Sequence, residues 1–80
     1  MNKSFGQHIR EERKLMSLTA ETLAQSCGVS RSFITLIENG SRMPGKKLLK
    51  KIASSLNMSN SKIIDWYLED LNQQIRKYFE

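Results

Sequence analysis

Arg31, Ser32, Phe33, Thr35 and Leu36 crowd one short stretch that opens directly after Ser30. An arginine fork, two hydroxyls and two apolar side chains suit recognition of an edge. A guanidinium matches the paired acceptors O6 and N7 of guanine, hydroxyls bond either partner of a base pair, and apolar groups touch the thymine methyl. Phe33 is open to two readings, a core residue or a thymine contact, and Leu36 can also be simple packing. Thr19, Ser30, Asn39, Ser41, Arg42, Lys46 and Lys47 flank this stretch and are donors of the kind that bond phosphate oxygens. Bond-making chemistry has no comparable set. No Ser/His/Asp grouping, paired carboxylates in an evident pocket, or glycine-rich phosphate loop is present, so no enzyme is expected. His8 is the single histidine and has no neighbouring His or Cys, which argues for an exposed helix position and against a metal site. Cys27, the single cysteine, reads as a small buried hydrophobe and not as a redox sensor. No cofactor is implied.

These side chains must be positioned by helices, because every segment has helical periodicity and none alternates like a strand. Ser4 and Gln7 have capping-box spacing, and Phe5, Ile9, Arg13 and Met16 then share one face of a first helix over about residues 5–16. Thr19 caps a second, short helix, with Leu18 and Leu23 at hydrophobic-staple spacing, and Gly28 ends it. Ser30 caps a third, Arg31 to about Glu38, which stops at Asn39-Gly40. Pro44 is expected to open a fourth helix running to Leu56, with Leu49, Ile52, Ala53 and Leu56 inward. Ser59 or Asn60 caps a fifth that runs nearly to the end. The fold class is therefore all-α, a five-helix bundle in one domain over residues 1–80.

Eighty residues exclude large barrels and doubly wound sheets. The net charge is +5 with a pI near 9.7, and it is unevenly spread. Residues 31–62 hold Arg31, Arg42, Lys46, Lys47, Lys50, Lys51 and Lys62 against Glu38 alone, a net +6. Residues 63–80 hold Arg76 and Lys77 against Asp65, Glu69, Asp70 and Glu80, a net −2. A basic middle points to an anionic partner, although for Lys50 and Lys51 a plain solvated face serves equally well. A charged N-terminus, no apolar run near the roughly 20 residues of a membrane span, and no disulfide lead us to expect a cytoplasmic chain without membrane association.

Two short helices joined by a Gly-containing turn, TAETLAQSCGVSRSFITLIENG over residues 19–40, form a helix-turn-helix, whose second helix lies in the major groove of duplex DNA. Ala24 must be small where the helices cross. Val29, Ile34 and Ile37 point inward and turn Arg31, Ser32, Thr35 and Leu36 outward. Together with Leu18-Thr19, Leu23-Ala24, Gly28-Val29-Ser30, Ile37-Glu38-Asn39-Gly40, Pro44, Leu49, Ile52-Ala53, Leu56 and Met58-Ser59, the chain resembles the Cro/cI-type regulators over about residues 5–66. Arg31-Ser32-Phe33-Ile34-Thr35 looks particularly like the small controller proteins of restriction–modification systems. The resemblance implies a DNA-binding transcriptional regulator, repressor or activator, with RNA polymerase as a further partner. It also implies an ion pair between Arg13 and Glu38 that braces the reading helix. Four features depart from the pattern. Ala20 replaces a glutamine that bonds phosphate, Gly45 replaces a Ser or Thr cap, Leu36 is apolar, and the chain after about Trp66 extends beyond the common domain.

Ile64, Leu68, Leu71, Ile75 and Tyr78 are spaced 4, 3, 4 and 3, a heptad seam over about two heptads. Residues from about 60 to 80 are thus expected to pair with a second copy, with Ile63 and Trp66 turned to the monomer's own core. A homodimer reads two inverted half-sites about 34 Å apart, forming a palindromic operator. Two rival readings stay open. One is an antitoxin or phage or plasmid switch protein whose main partner is another protein. The other is a non-specific nucleic-acid binder that uses only the basic middle.

Overall fold

A computed structural model describes residues 3–80, so the first two residues of the expected domain lie outside it. Five helices follow one another: α1 (Phe5–Leu15), α2 (Ala20–Cys27), α3 (Arg31–Glu38), α4 (Lys46–Ser55) and α5 (Asn60–Tyr78), with no strand among the described residues. This is the all-α, five-helix arrangement expected from the sequence.

Three of the four connections repeat one chemical plan. Ser17-Leu18-Thr19, Gly28-Val29-Ser30 and Asn57-Met58-Ser59 each place a left-handed residue, an apolar residue and a hydroxyl cap in succession. The left-handed residues have φ of 58°, 69° and 53°. Each lets the next amide reach back five residues along the ending helix: Leu18 to Arg13, Val29 to Ala24 and Met58 to Ala53, at 2.9–3.0 Å. Leu18, Val29 and Met58 pack against the core, and the following hydroxyl accepts from the third amide of the next helix. One residue ends a helix, one anchors it, and one starts the next.

The α3–α4 connection differs. Ser41 and Arg42 amides both return to the Leu36 carbonyl, and the chain then runs through buried Pro44 to Gly45. Pro44 does not open α4, as the sequence suggested. It sits in the core and the helix starts at Lys46, with Gly45 as a cap that has no side chain.

Phe5, Ile9, Leu23, Ile34, Ile37, Ile52 and Ile63 are each no more than 2% exposed and draw all five helices into one core. Met16, expected on the apolar face of α1, is 41% exposed because the helix ends at Leu15 and the chain turns away at Ser17. Gly6 packs α1 directly on the backbone of α3; a Cβ there would run into the carbonyl oxygens of Ile37 and Glu38. Two long-range bonds anchor the middle of α5. The Phe5 amide donates to Asp70 Oδ2 at 2.8 Å, which satisfies an orphan donor at the start of α1. The Tyr67 hydroxyl donates to the Pro44 carbonyl at 2.7 Å.

Candidate nucleic-acid interface

Helix α3 is oriented by burial on one side and an ion pair at its end. Ile34 and Ile37 are within 1% of full burial, so the polar side of this eight-residue helix has only one direction to face. Arg13 Nε donates to Glu38 Oε2 at 2.8 Å and Arg13 Nη2 to Glu38 Oε1 at 3.0 Å, a two-pronged fork. The third donor, Nη1, reaches the Leu18 carbonyl at 2.7 Å. The side chains are 11% and 8% exposed, and bonding to Glu38 raises the Arg13 pKa further. One guanidinium therefore ties α1, the α1–α2 turn and the C-terminal end of α3 together.

On the outward side, Arg31, Ser32, Thr35 and Leu36 line one shallow depression. Arg31, Ser32 and Thr35 are exposed and Leu36 is 37% exposed. Thr35 Oγ1 donates to the Arg31 carbonyl at 3.1 Å, which leaves the oxygen free to accept. Of the two roles left open for Phe33, the core one is the one seen. Its ring is half-buried against the core, and the Arg42 guanidinium lies 5.9 Å above the ring centroid, joining α3 to the following loop.

The flanking donors divide by what their side chains already do. Thr19 Oγ1 accepts from the Thr22 amide at 3.0 Å and pairs with the Thr22 hydroxyl at 2.8 Å. Ser30 Oγ accepts from the Phe33 amide at 3.1 Å. Asn39 Oδ1 accepts from the Ser41 amide at 3.0 Å. These three stand at helix ends with their acceptor capacity engaged, and Thr22 is a partner that sequence reasoning missed. Ser41, Arg42, Lys46 and Lys47 are exposed. The first turns of α3 and α4 hold no acid, and α4 has no side-chain cap, so their amides and cations have no internal counter-charge there.

The remaining expected sites fall on other surfaces. Leu68 and Ile75 are about half-exposed at 55% and 52%, Ile64 is exposed, Tyr78 more so, and Leu71 is partly covered. Ile63 is buried and Trp66 half-buried. His8 is not the exposed side chain the sequence suggested. It lies flat on Trp66, with ring centroids 4.1 Å apart and planes 6° from parallel, because that side of α1 faces α5. Cys27 is buried, with Sγ 3.7 Å from Ser55 Oγ. Among the described residues no three His, Cys, Asp or Glu side chains gather as a metal would need, and no helix is long and apolar enough to cross a membrane.

Comparison with known proteins places these features in context. The helix-turn-helix family HTH_3 matches residues 9–59. An uncharacterized HTH-type transcriptional regulator of Bacillus subtilis, YazB, is 38% identical over 55 residues, covering 69% of this chain and 80% of that protein. The ImmF control region 10 kDa protein of Bacillus phage phi105 is 36% identical over 56 residues, covering 70% of this chain; the match spans 62% of the phage protein's length. Among solved structures, the restriction–modification controller protein C.AhdI from Aeromonas hydrophila superposes with a TM-score of 0.70 at 34% identity, covering 74% of this chain and 89% of that one.

Proposed function

This chain belongs to the helix-turn-helix family, and from that membership we propose that it is a sequence-specific transcriptional regulator that binds duplex DNA. The observation that carries the reading is the division of α3. Ile34 and Ile37 are sunk in the core while Arg31, Ser32, Thr35 and Leu36 stand free on the other side. In this reading α3 enters the major groove, Arg31 bonds a guanine, and Ser32, Thr35, Phe33 and Leu36 complete the edge contacts. Thr19, Ser30, Asn39, Ser41, Arg42, Lys46 and Lys47 hold phosphates and set the register.

We further propose that residues 1–80 act as one domain and that two copies pair through α5 to read an inverted repeat. The exposed stripe of Ile64, Leu68, Ile75 and Tyr78, with Leu71 at its partly covered centre, supports this. A protein of this kind represses or activates according to where its operator lies relative to RNA polymerase. Its own promoter and a restriction–modification locus are the first targets to search, given the likeness to C.AhdI. Leu71→Glu is expected to yield monomers; an unchanged dimer mass in sedimentation would remove α5 from the interface.

A second reading gives that stripe to a different protein, as an antitoxin would use it, and keeps the DNA-binding face for autoregulation. Selection of bound sequences from a random duplex pool by the purified chain tests the first reading. Recovery of two inverted half-sites about one helical turn apart supports the dimeric regulator. Recovery of no preferred sequence by a folded protein overturns it.

A further inference from the structure

Lys46, Lys47, Lys50 and Lys51 are all exposed and, with Ser54, make up the solvent side of α4. Lys46 and Lys50 are four apart, as are Lys47 and Lys51, and Lys47 and Lys50 are three apart. Residues at these spacings are neighbours on a helix, about 5–6 Å between Cβ atoms, and like charges there destabilise it. The helix dipole adds to the cost, since two of the four sit in the first turn.

The protein does not spread this charge or neutralise it. Three cations elsewhere are paired, Lys3 with Glu11, Arg13 with Glu38 and Lys62 with Glu12, whereas among the described residues Arg10, Lys14, Arg31, Arg42, Arg76 and Lys77 are not. Among the described residues, none of the α4 lysines has a carboxylate oxygen within 4.0 Å. Lys47, Lys50 and Lys51 instead share an open groove between α2 and α4 with Ser26, Ser54 and Ser55. The groove's surface is mostly apolar, and the lysine ammonium groups with the Ser26 and Ser54 hydroxyls supply its donors, of the kind that bond phosphate oxygens.

We propose that this α2–α4 groove is a second DNA-contact surface, in which Lys50 and Lys51, with Ser26 and Ser54, hold backbone phosphates just outside each half-site. It rests on the duplex-binding reading above and enlarges the footprint. Charge complementarity and continuity select the occupant. Lys46 and Lys47, already assigned to half-site phosphates, begin the same face, and the next lysines follow one turn or about 5.4 Å along the axis. In this proposal a duplex held at the N-terminal end of α4 lays its flanking phosphates against Lys50 and Lys51. These contacts read no bases; they make affinity depend on DNA length and salt.

The test uses the whole chain, the inverted repeat that it selects, and two duplexes of about 20 and about 35 base pairs centred on that repeat. The native protein is expected to bind the longer duplex about tenfold more tightly near 0.1 M salt. Lys50→Gln/Lys51→Gln should lose that preference, keep its affinity for the short duplex within about twofold, and flatten the salt slope on the long duplex by about two units. Circular dichroism checks that the variant remains helical. A native protein that binds both duplexes equally, or a variant that keeps the preference, overturns the proposal and leaves the regulator reading standing. A length preference arising from a second dimer on the longer duplex, seen as doubled stoichiometry, also overturns it and makes the face a contact between copies. Absence of specific binding to either duplex overturns the regulator reading itself.

Discussion

Tyr67 on α5 donates its hydroxyl to the carbonyl of Pro44, 23 residues earlier, at 2.7 Å. Pro44 lies just before Gly45, where α4 and its lysines begin, so the bond ties the C-terminal helix to the loop between α3 and α4. The Tyr67 ring also meets Phe5 edge-on at 5.4 Å, and Asp70, one turn further along, caps the Phe5 amide. The helix proposed to pair two copies is thereby joined to both ends of the unit proposed to read DNA.

Tyr67→Phe keeps the ring and deletes the bond. It is expected to cost about 1 kcal/mol, the usual net value of such a hydrogen bond, and to lower the melting temperature by about 4–8 °C in a domain this small. Thermal unfolding checks this, and an unchanged midpoint would mean that water replaces the bond without loss.

Removing one partner of the Arg13–Glu38 fork strands a charge that is about nine-tenths covered. Arg13→Met should destabilise the fold by about 3–5 kcal/mol, whereas replacing both partners with apolar residues should recover much of the loss. Urea titrations of Arg13→Met and of Arg13→Met/Glu38→Leu decide the matter. If the double variant is no more stable than the single one, the guanidinium's bond to Leu18 carries more of the energy than its bond to Glu38.

Arg31 and Lys47 should fail in different ways. Arg31→Ala is expected to cost about 1–3 kcal/mol on the selected operator and to relax preference at one base pair. Lys47→Ala should weaken operator and random duplex alike and flatten the salt slope by about one unit. Equal losses on both DNAs from both variants would contradict the separation of base-reading from phosphate-binding residues.

Burial against α5, then the Lys3 charge, holds the His8 imidazole below its ordinary value of 6.5, with Glu11, Glu69 and Glu12 opposing. A histidine whose folded pKa is depressed is protonated first in the unfolded chain. Its contribution to stability is therefore full above pH 6.5 and is lost as the pH falls through and below that value. Urea midpoints should accordingly fall between about pH 7.5 and about pH 5.5, and His8→Phe, which keeps a ring on Trp66, should show a smaller fall. An equal fall in both proteins would assign the pH dependence to other groups.

Helix boundaries were legible in the sequence because capping is local chemistry. Ser4, Thr19, Ser30 and Ser59 each accept from an amide three residues on, and Gly28 adopts the left-handed turn that its missing side chain permits. The same locality, together with the alternation of Ile34 and Ile37 with polar neighbours, identified α3 and its outward residues. Where a local rule met a tertiary demand, the tertiary demand won. Pro44 has the backbone to begin a helix, but the core takes its ring and α4 starts two residues later. His8 has the polarity of a surface residue, but Trp66 arrives to cover it from 58 positions away. Gly6 had no evident turn to make, and its meaning lies in the approach of α3 to its Cα. Asp70 read as one more charge in an acidic tail until the fold brought it to the Phe5 amide, 65 residues distant. The amino-acid order therefore determined which segments are helices and which side of α3 is polar, since each rests on bonds and periodicities spanning a few residues. Only the tertiary structure decided how α5 is fastened to the rest, because those contacts join residues whose separation along the chain leaves no repeating pattern to read.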